Sequence, residues 1–225
     1  YLGKEDNEKH FYSLLKAFKD KRYIRIDGKL LFVIYQPLDF KNFTEFKAQW
    51  NQLAIENGLE GFFFVGQTLH KEKIDEIIEY GFDAVNHCHR LDNYYQYNKA
   101  SNFVMRCFNF VRKIIKVPYI ISYKKAIKHS VFDEDYREDV FPTMMPNWDH
   151  TPRSGRGGTV LHNATPELFE VHAKKVLESI KDKKGNNRIV FLKSWNEWGE
   201  GNYMEPDLKF GRGFINALKD ALKDE

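Results

Sequence analysis

Apolar residues along the chain switch repeatedly between helical and strand spacing. Phe11, Leu14, Leu15 and Phe18 fall three and four apart, which predicts a helix over Glu8–Lys19 with one buried stripe. Arg22–Lys29 reads as a turn with Asp27-Gly28 at its tip, and the unbroken apolar run Leu30–Tyr35 as a buried strand. Phe43, Phe46, Trp50, Leu53 and Ala54 return to helical spacing across Phe40–Asn57, and Gly58 supplies the cap. The alternation continues through a strand at Gly61–Gly66, a helix near Lys71–Tyr80, a strand at Asp83–Asn86 and a helix within Ser101–Ile115. A strand at Tyr119–Ser122, a short helix around Lys124–Ser130 and a strand near Val140–Thr143 follow. After a long loop, Pro166–Lys181 is a helix with Thr165 as its N-cap and Pro166 at its first position. Ile189–Leu192 is the last strand and Phe210–Leu222 the closing helix.

Six strand-then-helix units, without an internal repeat or a low-complexity linker, predict an α/β fold on a parallel sheet. The pattern alone is compatible with a (β/α) barrel and with an open doubly wound sheet; in both, ligands bind where the strands end. A chain of 225 residues can bury one sizeable core, and a single domain over 1–225 is expected.

Charge and cysteine content narrow the setting. The net charge of +3 is small against 35 basic and 32 acidic residues, so nothing demands nucleic acid or an anionic membrane as partner. Lys124-Lys125 and Lys181-Asp182-Lys183-Lys184 read as solvated helix faces. Cys88 and Cys107 form neither a disulfide framework nor a metal-ligand spacing, which fits a reducing cytoplasm. No apolar stretch approaches the ~20 residues that span a bilayer, so any membrane association, at the inner membrane, is expected to be peripheral.

The chemistry concentrates after the last strand. Arg188–Leu192 runs into Lys193-Ser194-Trp195-Asn196-Glu197-Trp198-Gly199-Glu200-Gly201-Asn202-Tyr203-Met204-Glu205-Pro206-Asp207. Glycines free the backbone on both sides of Glu200, and Pro206 stiffens the exit. Paired carboxylates beside flat aromatic faces suit sugar chemistry: one protonates a leaving oxygen, the other stabilises or traps the cationic carbon, and the rings stack on sugar faces. Glu197 and Glu200 are therefore the candidate catalytic pair, with Trp195, Asn196, Trp198 and Glu205 as candidate substrate contacts.

Trp195-Asn196-Glu197-Trp198-Gly199-Glu200-Gly201 followed by Glu205-Pro206-Asp207 resembles the motif of the WbsX-type glycosyltransferases of lipopolysaccharide and O-antigen biosynthesis, a bacterial group related to glycoside hydrolase family 99. Further matches are Tyr23-Ile24-Arg25-Ile26-Asp27-Gly28-Lys29, Gly81-Phe82-Asp83-Ala84, Tyr123-Lys124 and Asn147-Trp148-Asp149-His150-Thr151-Pro152-Arg153, so the resemblance covers nearly the whole chain. It implies a (β/α)8 TIM-like barrel, of which this chain is the C-terminal three-quarters, an N-terminally truncated fragment. In the related hydrolases the first glutamate assists departure through a 1,2-anhydro sugar and the second is the general acid/base. Those roles fall on Glu197 and Glu200.

Other strand ends supply further candidates. Trp148, Asp149 and Arg153 precede the glycine-rich Ser154-Gly155-Arg156-Gly157-Gly158, which lacks the ending of a Walker phosphate loop. Arg153 can pair with an acidic sugar or a diphosphate leaving group, or brace a loop carboxylate. His87 and His89 flank Cys88, but two ligands without a third do not make a metal site, and no cofactor is expected. Tyr94, in the tyrosine-rich stretch that follows, is a candidate sugar platform; Gln67 and Gln36 are candidate subsite residues. Glu197, Glu200, Trp148, Asp149, His87 and Gln67 are expected on one strand-end face. The expected partner is an oligosaccharide or polysaccharide, with a nucleotide- or lipid-linked sugar donor. An endo-acting retaining hydrolase of α-linked, mannose-type glycans and a non-catalytic glycan-binding module are the alternatives.

Overall fold

The structure is a computed structural model describing residues 3–88, 114–115 and 117–223. His89, Tyr94 and Cys107 lie outside the described residues, as does the helix expected within Ser101–Ile115 apart from Ile114 and Ile115. In chain order the elements are α1 (Lys4–Phe18), β1 (Arg25–Ile26), β2 (Lys29–Tyr35), α2 (Phe43–Glu56), β3 (Phe62–Thr68), α3 (Ile74–Glu79), β4 (Ala84–His87), β5 (Tyr119–Ser122), α4 (Tyr123–Ala126), β6 (Val140–Met144), α5 (Thr151–Ser154), β7 (Thr159–His162), α6 (Pro166–Glu178), β8 (Phe191–Leu192), β9 (Asn196–Glu197), β10 (Asn202–Tyr203) and α7 (Gly213–Ala221). They fall into two compact units, one of residues 1–88, 137–141 and 183–189, the other of 89–136, 142–182 and 190–225.

In the first unit β2, β3 and β4 are parallel, in a register running from Leu30↔Phe62 to Tyr35↔Gln67 and from Val65↔Ala84 to Thr68↔His87. The start of β6 lies beside β4, where Val85 N–H donates to Asp139 O at 2.8 Å and Asn86 Nδ2 to Phe141 O at 2.9 Å. The turn expected at Arg22–Lys29 is a β-hairpin: β1 pairs antiparallel with β2 across Asp27 (φ 46°) and Gly28 (φ 82°), two left-handed residues as a tight two-residue turn requires. Helix α2 stops where expected. Leu59 N–H donates to Ala54 O and Gly58 N–H to Ile55 O, with Gly58 at φ 77°, the paired bonds of a Schellman cap. The core is built from rings: Trp50 is surrounded by Phe11, Phe18, Phe46 and Phe62, and its Nε1 donates to Asn7 O at 3.0 Å.

In the second unit β6 continues into a parallel pairing with β8, Thr143↔Phe191 and Met144↔Leu192. Helices α6 and α7 bury Phe169, Ala173, Val176, Phe214 and Ala217 in a shared cluster with Met144. The expected N-cap is present, with Thr165 Oγ1 accepting from Leu168 N–H at 3.4 Å.

Three expectations change here. Strand β5 pairs with β7 in a separate two-stranded parallel sheet, Tyr119↔Thr159 to Ser122↔His162. The long loop before Thr165 is therefore structured, holding α5, a glycine-bearing turn and β7. The last strand is shorter than the apolar run, because Ile189 N–H is taken by Asn187 O at 2.8 Å, leaving only Phe191 and Leu192, both half-buried, to pair. No helix among the described residues is long and apolar enough to cross a membrane.

Candidate active site

The acidic and aromatic stretch forms a hairpin in the second unit. Strand β9 pairs antiparallel with β10, Asn202↔Glu197 and Tyr203↔Asn196, around a single 3-10 turn at Trp198–Glu200 that ends on Gly201 at φ 51°. The Trp195 carbonyl closes its open end by accepting from Met204 N–H (2.8 Å) and Glu205 N–H (3.2 Å). The Lys193–Ser194 peptide at its entrance is cis.

The segment after β6 docks this hairpin through one main-chain bond and the side-chain amides of two asparagines. Asp149 N–H donates to Glu200 O at 3.0 Å, and a Cβ on Gly201 would meet Asp149 Cβ at 2.8 Å, so the approach requires glycine. Asn147 acts like an extra strand residue: its Oδ1 accepts from Tyr203 N–H at 2.8 Å and its Nδ2 donates to Tyr203 O at 3.0 Å. Buried Asn202 returns the tie, its Nδ2 donating to Asn147 O (2.7 Å) and Lys193 O (3.0 Å).

That segment is itself held from two sides. Tyr123 Oη donates to Met145 O at 2.7 Å, and burial pushes the Tyr123 phenol well above its ordinary value. Met145 N–H donates to His172 Nε2 at 3.1 Å, which places the ring proton on Nδ1, facing Ser130 Oγ at 3.0 Å.

The two glutamates meet at Arg153 on α5. Its Nη1 lies 2.5 Å from Glu200 Oε1 and its Nη2 3.8 Å from Glu197 Oε1. His150 Nε2 stands 3.4 Å from the same Glu200 oxygen. The Glu200 side chain is 15% exposed, against 42% for Glu197 and 57% for Arg153, so the second glutamate is the recessed one and the guanidinium sits outermost.

Aromatic walls flank the pair. Trp198 stacks on Tyr203 with centroids 3.9 Å apart, and its Nε1 donates to Glu205 Oε2 at 2.7 Å. Partial burial and the nearby Asp207 carboxylate raise the Tyr203 phenol above its ordinary value. Trp195 and Trp198 are half exposed, and Asn196 is exposed. Trp148 is buried, with the His150 ring stacked at 5.6 Å and Lys193 Nζ 4.9 Å from its own ring. Asp149 is engaged locally, its Oδ1 accepting from Thr151 N–H (2.9 Å) and Thr151 Oγ1 (2.5 Å) at the start of α5.

Glu197, Glu200, Arg153, Trp148, Asp149, Trp195, Asn196, Trp198 and Glu205 thus belong to one hairpin and the segment that docks it. Gln36, Gln67 and His87 belong to the first unit, at the C-terminal ends of β2, β3 and β4. Gln36 is exposed at φ 51°, Gln67 Nε2 donates to Asn86 Oδ1 at 2.8 Å, and His87 is buried. Sequence reasoning missed His150, Asn147, Asn202 and Tyr203. All four lie inside the two stretches singled out, which was the available signal.

Two solved structures share this fold. One similar solved structure is a glycoside hydrolase-like protein (TM-score 0.59, 16% identity, 96% of this chain and 60% of that chain). Another is the GH99 endo-alpha-mannosidase from Bacteroides thetaiotaomicron (TM-score 0.53, 16% identity, the same coverage). Residues 1–218 match the glycosyltransferase WbsX family, and the chain belongs to it. It is also similar to the uncharacterized protein WxcX from two strains of Xanthomonas campestris pv. campestris, 22% identical over 223 residues, 92% of this chain. The chain spans 29% of the length of those relatives.

Proposed function

We propose that this chain contributes the sugar-processing site of a carbohydrate-active enzyme of surface polysaccharide assembly, of the lipopolysaccharide or O-antigen type, as part of a (β/α)8 barrel domain. Glu200 is the general acid/base, and Glu197 assists departure at the sugar carbon. The observation that carries this reading is the convergence of both carboxylates on one guanidinium, Glu200 at 2.5 Å and Glu197 at 3.8 Å. Two carboxylates held that close can address one glycosidic bond. Half-exposed Trp195 and Trp198 beside them offer faces for sugar stacking. The donor in this reading is a nucleotide- or lipid-linked sugar. Hydrolysis of an α-linked, mannose-type glycan is the second reading, favoured by the likeness to the endo-alpha-mannosidase. Product formed only from an activated donor identifies transfer, and product formed from a finished glycan and water identifies hydrolysis.

Glu200→Gln and Glu197→Gln test the pair. Each should fold normally and lose about 10²–10⁴-fold in turnover, the usual worth of one positioned acid/base. Glu200→Gln should partly recover on a substrate whose leaving group departs without protonation, whereas Glu197→Gln should not. Near-normal turnover in both would remove the two glutamates as the reactive pair; absence of turnover in the unaltered protein, with the substitutions changing only glycan affinity, would replace the enzyme with a glycan-binding module.

A further inference from the structure

We infer that Arg153 is a specificity-determining residue, and that the sugar ligand carries an anionic group, a carboxylate or phosphate, beside the bond at which the glutamates act. This inference rests on the reading of Glu197 and Glu200 as the reactive pair. The guanidinium occupies Glu200 Oε1 at 2.5 Å, the oxygen that also faces His150 at 3.4 Å. A glycosidic oxygen can take that place only when Arg153 gives it up. Leaving a carboxylate for a neutral hydroxyl forfeits a charge-assisted bond, whereas an anion on the ligand replaces it in kind, and the planar fork suits carboxylate and phosphate alike.

The placement of Arg153 fits an exchange of partners. Its side chain is 57% exposed and Glu200's 15%, so the guanidinium covers the recessed carboxylate from the solvent side. It projects from the four-residue helix α5, which ends on Gly155 at φ 54°; Gly157 and Gly158 follow. The far side of this turn is packed tightly at Gly158, where a Cβ would meet the His150 carbonyl carbon at 2.8 Å. Among the described residues, nothing lies within 4 Å of a Cβ position at Gly155 or Gly157.

The test is binding to the 225-residue chain, followed by calorimetry at low ionic strength, with three probes: methyl glucuronide, its neutral counterpart methyl glucoside, and inorganic pyrophosphate. At least one anion should bind about tenfold or more tighter than methyl glucoside, the scale of hydrogen bonds to a charged group. Preference for the uronate places the charge on the sugar; preference for pyrophosphate places it on a diphosphate leaving group. Arg153→Gln should abolish the preference. Glu200→Gln removes the competing carboxylate and should tighten anion binding severalfold. Equal binding of all three probes overturns the inference, as does a preference that survives Arg153→Gln or fails to rise in Glu200→Gln. Because these arms read affinity, their failure is separable from failure of the catalytic reading, which turnover of the glutamate variants decides.

Discussion

At Gly201 two constraints fall on one residue: a left-handed backbone and a distance to Asp149 that admits no Cβ. Gly201→Ala meets both, with φ at 51° and contacts of 2.8 Å to Asp149 Cβ and 3.0 Å to its N and O. The backbone or the docking segment must shift, at a cost of about 1–3 kcal/mol. Since Glu200 directly precedes it, the expected result is a lowered melting temperature together with loss of turnover larger than the stability change explains. Thermal melts and steady-state rates on the same preparation check this. Trp198→Phe is the milder change: it keeps the face stacked on Tyr203 but removes the Nε1–H that Glu205 accepts. Rearrangement of Glu205 should then weaken glycan affinity while leaving the rate at saturation nearly unchanged.

The β9–β10 hairpin is too short to hold itself, with two residues in each strand, and Asn147 supplies the missing edge. Asn147→Ala deletes both bonds to Tyr203. Amide exchange at Tyr203 should accelerate in that variant, while amides in the middle of α6 keep their protection, a split that hydrogen-exchange mass spectrometry resolves. A uniform rise across the second unit would mean that Asn147 stabilises the core instead. Legibility in the sequence follows the same line. Helices α1, α2 and α6 were readable because their stripes and stop signals are local, as Gly58 and Thr165 show. Strand β7, with only Val160 and Leu161 apolar, and the hairpin, with two residues in each strand, were not, because neither carries a period or an apolar run and both are defined by distant partners. The glutamates could be picked from their motif. Asn147 and Asn202 could not be assigned, since the main-chain atoms they bind lie 56 and 55 residues away.

Across the molecule, tyrosines rather than carboxylates set the clearest pH limit. Burial raises Tyr23 in the first unit, and Tyr123 and Tyr203 in the second, above their ordinary value of 10.0. Below that value these phenols are neutral in folded and unfolded chains alike, and their contribution is intact. Above it the unfolded chain ionises first, so stability falls as pH rises towards the folded values. Melting temperature should therefore hold up to about pH 10 and decline beyond it. Tyr123→Phe should flatten that decline while lowering stability by about 1–3 kcal/mol at neutral pH, because Met145 O loses its buried donor. An unchanged alkaline slope in Tyr123→Phe would remove Tyr123 as its source.

The bond from Asp149 N–H to Glu200 O is made entirely of main-chain atoms. Such a clasp is indifferent to the side chains on either side of it. His150 and Trp198 contribute no side-chain atom to it, and Gly201 is the residue it requires. A lineage built on this hairpin is therefore free to vary the exposed rings around it by single substitutions while the main chain of Glu200 remains where it was.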